Sequence, residues 1–326
     1  MLVLAVCLAW SLVEGEVDIV FDSFLKAYGK QYDSDMDYQY RRAVFHNNLQ
    51  IANSLAEKDE RAKYGVTKFM DMTQDEFRKY YLIPEHHFQN NKDKPYFEIP
   101  DSPIIDTIPD AFDWNDKGAV TPVYDQGQCG SCWAFSATEA IESQWYLAHH
   151  PLTSLSPQQI VDCDKGRGDE GCNGGDTPTA YEYVISAGGM ETETAYPYTG
   201  EDDTCAFKTN SVVAKISNWT YVSTTKNETE MQVKLLANGP ISICVDAEIW
   251  QFYVGGVISA LCGTTLDHCV LLTGYDDKYV NILGETVQIW KIRNSWGADW
   301  GESGYVYVER NYDLCGVADE PTLPIV

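Results

Sequence analysis

Apolar positions early in this chain recur at helical spacing, and late in the chain they run as short β-branched and aromatic stretches. Between Val17 and Lys30, the residues Phe21, Phe24, Leu25 and Tyr28 fall on one face, which predicts an amphipathic helix. A second helix is expected from about Ser34 to Glu60, where Asp37, Arg41, Phe45, Asn48, Ala52 and Ala56 follow at steps of three or four and form one stripe. Tyr64 to Asp71 then changes to a period of two, with Gly65, Thr67, Phe69 and Asp71 on one side, as in a strand. A long helix is predicted over Ser131–His149, its interior built on Trp133, Phe135, Ile141 and Trp145. Ser156 followed by Pro157 is the signature of a capped helix start. After about Trp219 the runs Ile241–Val245, Cys269–Tyr275, Thr286–Arg293 and Tyr305–Arg310 read as strands, with Asp276-Asp277-Lys278 as a surface hairpin. A helical half followed by a β half makes an α+β protein whose functional cleft lies between the two.

The ends and the composition add compartment and partners. Met1 to Val13 is almost wholly apolar, too short to span a bilayer, and reads as a secretory signal (residues 1–15) cut after Gly15. No later apolar run approaches membrane-spanning length. The 326 residues exceed one compact core and fit two or three units. Phe88 to Asp106 carries Pro95, Pro100 and Pro103 among polar residues, an extended linker. The formal net charge is −26, and residues 108–326 alone carry 11 basic against 31 acidic side chains. Such a surface repels nucleic acid and anionic membranes, and suits solubility in an acidic compartment. In a secreted chain, Asn218-Trp-Thr220 and Asn227-Glu-Thr229 are glycosylation acceptors.

The chemistry concentrates in Gln126-Gly127-Gln128-Cys129-Gly130-Ser131-Cys132-Trp133-Ala134-Phe135-Ser136. It places the Cys132 thiol where a glycine-rich turn enters a helix, and the positive end of a helix biases a thiol toward thiolate. His268 follows 136 residues on, able to take the proton, and Asn294 follows 162 residues on, able to orient the imidazole. The same Cys129-Gly-Ser-Cys132 could instead be a redox dithiol, although that reading explains neither His268 nor Asn294. Zinc binding by this pair lacks a second closely spaced pair, and no metal is expected.

These motifs resemble the papain family of cysteine proteases, as a precursor. The stripe on the second helix is similar to that of cathepsin propeptides, in a cathepsin F-like variant that departs at Asp37 and Ala56. The Gly65-x-Thr67-x-Phe69-x-Asp71 pattern resembles the propeptide strand of the same family. The resemblance implies an inhibitory prosegment (16–107), a papain-like two-lobed domain (108–326; helical lobe about 117–218, β lobe about 219–322) and maturation near Thr107. It implies a thiolate–imidazolium pair of Cys132 and His268 that hydrolyses peptide bonds through an acyl-enzyme, with Gln126 in the oxyanion hole and Trp296 covering the Asn294–His268 bond. Gly174 and Gly175 resemble the strand that pairs with substrate backbone. Thr177, Cys244, Leu266, Cys269 and Glu320 are expected to line the second subsite, beside Asp267 and with Asp176 at its rim. An acidic base at Glu320 implies acceptance of Arg as well as Phe or Leu. Three bridges are implied: Cys129–Cys172, Cys163–Cys205 and Cys262–Cys315. For Cys244 and Cys269 the alternatives are two small apolar fillers or a fourth bridge, and free thiols are expected. The short Cys163–Cys172 interval favours endopeptidase activity. The expected product is a monomeric, cofactor-free, secreted or lysosomal enzyme whose partners are peptide and protein substrates and its own propeptide, released by acid. A retained, inactive binding or storage protein is the non-enzyme alternative.

Overall fold

The computed structural model describes residues 14–88, 105 and 107–326. The expected signal segment up to Val13 and nearly all of the proline-containing linker lie outside the described residues. Among the described residues, no helix is long and apolar enough to cross a membrane.

The expected prosegment is built on helices α1 (Glu14–Tyr28) and α2 (Asp35–Lys58), strand β1 (Ala62–Tyr64) and helix α3 (Gln74–Tyr81). Ser34 caps α2 by accepting from the Asp37 amide, and a Thr73–Glu76 capping box starts α3. The predicted faces meet: Phe21, Phe24 and Phe45 are buried with ring centroids 5.1 to 6.1 Å apart. Asn48 in the buried stripe donates through Nδ2 to the Met70 and Met72 carbonyls, so the stripe holds the following loop rather than only packing.

That loop departs from the predicted strand. Regular pairing ends at Tyr64, and residues 68–72 turn back through Met70 N–H to Thr67 O and Met72 N–H to Phe69 O. Thr67, Phe69, Met70 and Asp71 are all buried, so the two-residue period carries no exposed face. Two sides are occupied because α2 lies on one and the following domain on the other.

In the larger domain, α4 (Cys132–Leu147), α5 (Pro157–Cys163) and α6 (Thr177–Ala187) form the helical lobe. Ser156 caps α5 through its hydroxyl, as its sequence position predicts. α4 is buried on nearly every side from Cys132 to Ser143, because it is packed by α5 and α6 on one side and by the sheet on the other. The sheet contains β2 (Ala111–Asp113), β3 (Asn218–Tyr221), β4 (Ile241–Val245), β5 (Tyr253–Ile258), β6 (His268–Val280), β7 (Thr286–Arg293), β8 (Tyr305–Glu309) and β9 (Thr322–Ile325), with α7 (Glu228–Asn238) against it. The strand order is β1-β5-β8-β7-β6-β4-β9-β3, with β2 added on β6; β5 and β8 run parallel and the other pairs antiparallel. The hairpin at Asp276-Asp277-Lys278 is corrected: these residues form a bulge within β6, and the chain turns at Asn281–Gly284, where Gly284 supplies a positive φ.

The architecture is α+β, and one edge of the sheet is closed by the prosegment itself. β1 pairs with β5 through Ala62↔Gly256 and Lys63↔Gly255. Main-chain pairing of this kind fixes register with little demand on side chains.

Candidate active site

Cys132 is the first residue of α4 and His268 the first of β6, so each is set by the end of a rigid element. The Cys132 Sγ accepts from the Cys269 amide at 3.4 Å, which places the sulfur against the start of β6 and beside His268. His268 Nε2 lies 2.7 Å from Asn294 Oδ1, an oxygen that also accepts from the Ser295 amide at 2.8 Å. An oxygen with that second donor can only accept from the imidazole, so Nε2 carries the proton and Nδ1 is the nitrogen left for the thiol. Nδ1 has no hydrogen-bond partner within the protein. Trp296 lies over the imidazole at 4.7 Å between ring centroids, shielding the His268–Asn294 bond. Trp300 stacks on Trp250 and meets Trp296 edge-on.

Gln126 is fully buried. Its Oε1 accepts from the Ser295 hydroxyl at 2.7 Å, its amide Nε2 donates to Cys129 O, and its backbone N–H donates to Ser295 O. Ser295 therefore links Gln126 to the loop carrying Asn294, a role that the sequence did not reveal although Ser295 stands inside the motif. Tyr198, also missed, donates to Gln126 O and shares a 2.7 Å hydrogen bond with the Ser131 hydroxyl. Nothing in its local sequence marks it.

The prosegment occupies this cleft. Gln126 Nε2 also donates to Tyr81 O at 3.2 Å, and the Ile83 amide donates to Asp267 O at 2.7 Å. Ile83 packs so closely on Gly174 that a Cβ there would lie 3.2 Å from the Ile83 Cβ. At Gly175 a Cβ would come within 2.5 Å of the Trp133 ring, so only glycine fits between that indole and the cleft. Phe69, Phe77 and Tyr81 set their rings edge-on to Trp296 at 5.4, 5.3 and 6.2 Å. Gln251 donates to Phe69 O and Met72 O, and Thr67 donates back to Gln251 O. Ion pairs Arg61–Glu285, Lys68–Asp125 and Arg78–Glu248 ring the contact.

Covered in this way, Cys132 and His268 are both fully buried. Burial pushes the thiol up to about 12 and the imidazole down to about 4, so the pair is held uncharged beneath the prosegment. The thiolate–imidazolium pair expected from the sequence is therefore not the state of this covered site.

The cysteines carry one correction. Bridges Cys129–Cys172, Cys163–Cys205 and Cys262–Cys315 are present, but Cys244 and Cys269 are joined as well, contrary to the expectation of free thiols. Antiparallel β4 and β6 place the two residues directly opposite, with Cα atoms 4.0 Å apart, a closeness that linear spacing does not reveal. Cys132 is the free cysteine among the described residues, so the dithiol reading of Cys129-Gly-Ser-Cys132 fails.

Several of the residues expected at the second subsite lie together. Ile83, Leu266, Cys244 and Cys269 belong to one buried apolar cluster with Trp133. Thr177 and Glu320 are buried, and Tyr221 donates to Glu320 at 2.9 Å. Asp176, expected at the rim, is buried, and its carboxyl lies within 4.8 Å of Glu320 and the Cys244 sulfur. Asp267 faces the cleft with its backbone carbonyl; its side chain instead accepts from the Ala247 amide, and burial holds that carboxyl well above the usual range.

Comparison with known proteins agrees with this geometry. The description "Papain family cysteine protease" matches residues 108–325, two thirds of the chain. The chain belongs to the papain family of cysteine proteases. A second match, "Cathepsin propeptide inhibitor domain", covers residues 21–77. This protease is 42% identical over 326 residues to "Cysteine proteinase 1" of Dictyostelium discoideum, covering 94% of this chain and 92% of that protein. It is 41% identical over 316 residues to "Cysteine proteinase 15A" of Pisum sativum, covering 91% and 83%. Among solved structures it is similar to digestive procathepsin L 3 of Tenebrio molitor larval midgut, with TM-score 0.81, 31% identity and coverage of 95% and 99%. A stem bromelain precursor matches with TM-score 0.81, 33% identity and the same coverage. The protease is thus a cysteine endopeptidase made as a zymogen, with its own propeptide as intramolecular inhibitor.

Proposed function

We propose that Cys132 is the nucleophile, His268 the proton carrier, Asn294 its orienting partner and Gln126 the side-chain donor to the oxyanion. The supporting observation is Gln126 Nε2 donating to Tyr81 O beside the buried thiol, as a donor poised for a substrate carbonyl would. Uncovered, Cys132 loses its proton to His268 Nδ1 and attacks the scissile carbonyl; the imidazolium then protonates the leaving amine, and water frees the acyl-enzyme. An epoxysuccinyl peptide is expected to alkylate Cys132 alone, and only after the prosegment leaves. Equal labelling of the intact zymogen would contradict the occlusion. Labelling elsewhere would contradict the nucleophile. A retained inactive storage protein would not be labelled at all.

Ile83 is the stand-in for a substrate side chain in the second subsite, between Gly174 and the Asp267 carbonyl. The buried carboxyls of Asp176 and Glu320 lie close together and to the Cys244 sulfur, and two acids so close repel when both are ionised. A substrate guanidinium would relieve that repulsion, so Arg is accepted alongside Leu and Phe. Glu320→Gln is expected to lower kcat/KM for Arg substrates by about 10-fold or more and leave Leu substrates nearly unchanged. A fluorogenic library in which the parent enzyme gains nothing from Arg rejects the reading.

Acid releases the inhibitor. Glu76 is pushed up by burial, but its bond from Arg41 and the Thr73 backbone N–H outweigh this and hold it below the usual carboxylate range. Glu285 is held low by Asn281 and by Arg61 of the prosegment. A carboxyl held low in the docked form gives stability that is complete above its unfolded value of about 4.3 and lost as pH falls through its docked value. Glu139 and Glu142 of the mature domain have the opposite sign. Burial pushes them up to about 8 and about 6, so they favour the fold at acid pH and cost it as pH rises toward those values. Acid therefore loosens the prosegment while the catalytic domain holds. Self-processing is expected to accelerate once pH falls below about 4.3, so that it is much faster near about pH 3.5 than near about pH 7.5, and Glu76→Gln should shift its onset upward. Equal rates at both values would overturn this.

The maturation cut is placed near Thr107, removal of a signal after Gly15, and a monomeric product in the lysosome or outside the cell. Asn218 and Asn227 are both exposed, as acceptors of glycans must be.

A further inference from the structure

The short helical turn Glu85–Phe88, just past the part of the prosegment that fills the cleft, presents two adjacent histidines to the larger domain. His87 is 8% exposed, and its ring nitrogen Nε2 is buried without a hydrogen-bond partner. A buried imidazole nitrogen without a hydrogen-bond partner is open to a metal ion. Gly174 makes room for it, since a Cβ there would stand 2.7 Å from Nε2.

Two further donors lie close to the His87 ring. One atom each from His86, His87 and Glu170 lie within 4.8 Å of one another. His86 and Glu170 are exposed and free to close the remaining distance, the His86 ring turning off the His87 ring on which it now leans at 4.2 Å. Glu170 sits on a braced loop: its amide donates to Gly174 O, and its carbonyl accepts from Asn173.

We propose that His86, His87 and Glu170 form a zinc site that staples the prosegment to the catalytic domain. Two imidazoles and one carboxylate, with a position open to water, suit Zn²⁺ and discriminate against Mg²⁺ and Ca²⁺, which prefer all-oxygen shells. The ligands come from opposite sides of the linker that maturation must cut. Bound metal therefore stabilises the docked zymogen and is lost with the prosegment. Zinc at about 100 times its Kd would reduce undocking about 100-fold.

The test uses the full zymogen with Cys132→Ala, which cannot process itself or bind zinc through the catalytic thiol. Titration calorimetry with zinc chloride near neutral pH is expected to give about one equivalent, with no response to magnesium. His87→Ala should abolish this binding, and Glu170→Gln or His86→Ala should weaken it at least about 10-fold. Zinc should raise the melting temperature of the parent zymogen and not that of His87→Ala. Because His87 is buried, the exposed Glu170 keeps the test decisive should His87→Ala misfold. Absence of zinc binding, or equal binding by Glu170→Gln and His86→Ala, overturns the proposal.

Discussion

Cys132→Ala is expected to remove peptide hydrolysis by about 10⁶-fold in kcat, the scale seen when a nucleophile is deleted from a working triad. The measurement is single-turnover cleavage of a fluorogenic peptide by enzyme matured in trans, since the variant cannot process itself. The thiol is the one free cysteine among the described residues and is already seated against the start of β6, so no neighbour can replace it. The zymogen should keep its stability, because the lost sulfur accepts only weak hydrogen bonds from backbone amides, that from Cys269 at 3.4 Å. A variant that retains more than a thousandth of parental activity would place the chemistry elsewhere.

Gln126→Ala carries the next largest effect, a loss of about 10²–10³ in kcat with little change in KM, as for other single oxyanion donors. Here the substitution also removes the acceptor for Ser295 and the donor to Tyr81 O. The zymogen should therefore hold its prosegment less tightly while the mature enzyme turns over more slowly, an opposed pair of effects. Gln126→Glu keeps an acceptor for Ser295 and loses the donor, so its kcat should fall as far as that of the alanine variant. A rise in KM alone would assign Gln126 to ground-state binding.

How far the sequence reached depended on whether the physics was local. The helix faces through Phe21, Phe24 and Phe45, the Ser156 cap and strands β4 and β7 were all legible, because spacing and capping act within a few residues. The Gly65–Asp71 alternation misled, because its far end is buried on both sides by elements distant in the chain. The turn placed at Asp276–Lys278 was misplaced because a bulge absorbed the acidic residues and let β6 continue. Cys244 and Cys269 gave no local sign of their bridge; strand register alone brings them together.

The catalytic set shows the same division. Cys132, His268, Asn294 and Gln126 stood out because their residue types and flanks are restricted by the chemistry. What they do in the zymogen did not: their burial, the uncharged state of the pair and the seat taken by Tyr81 to Ile83 follow from a segment some fifty residues upstream of the thiol. By itself, the sequence determined the kind of protein, its inventory of reactive groups and the helices and strands that carry them. Only the tertiary structure decided which cysteines are joined, which carboxyls share a pocket and which main-chain atoms fill the cleft. Those are contacts between distant parts of the chain, chosen by packing and register, and no short-range pattern encodes them.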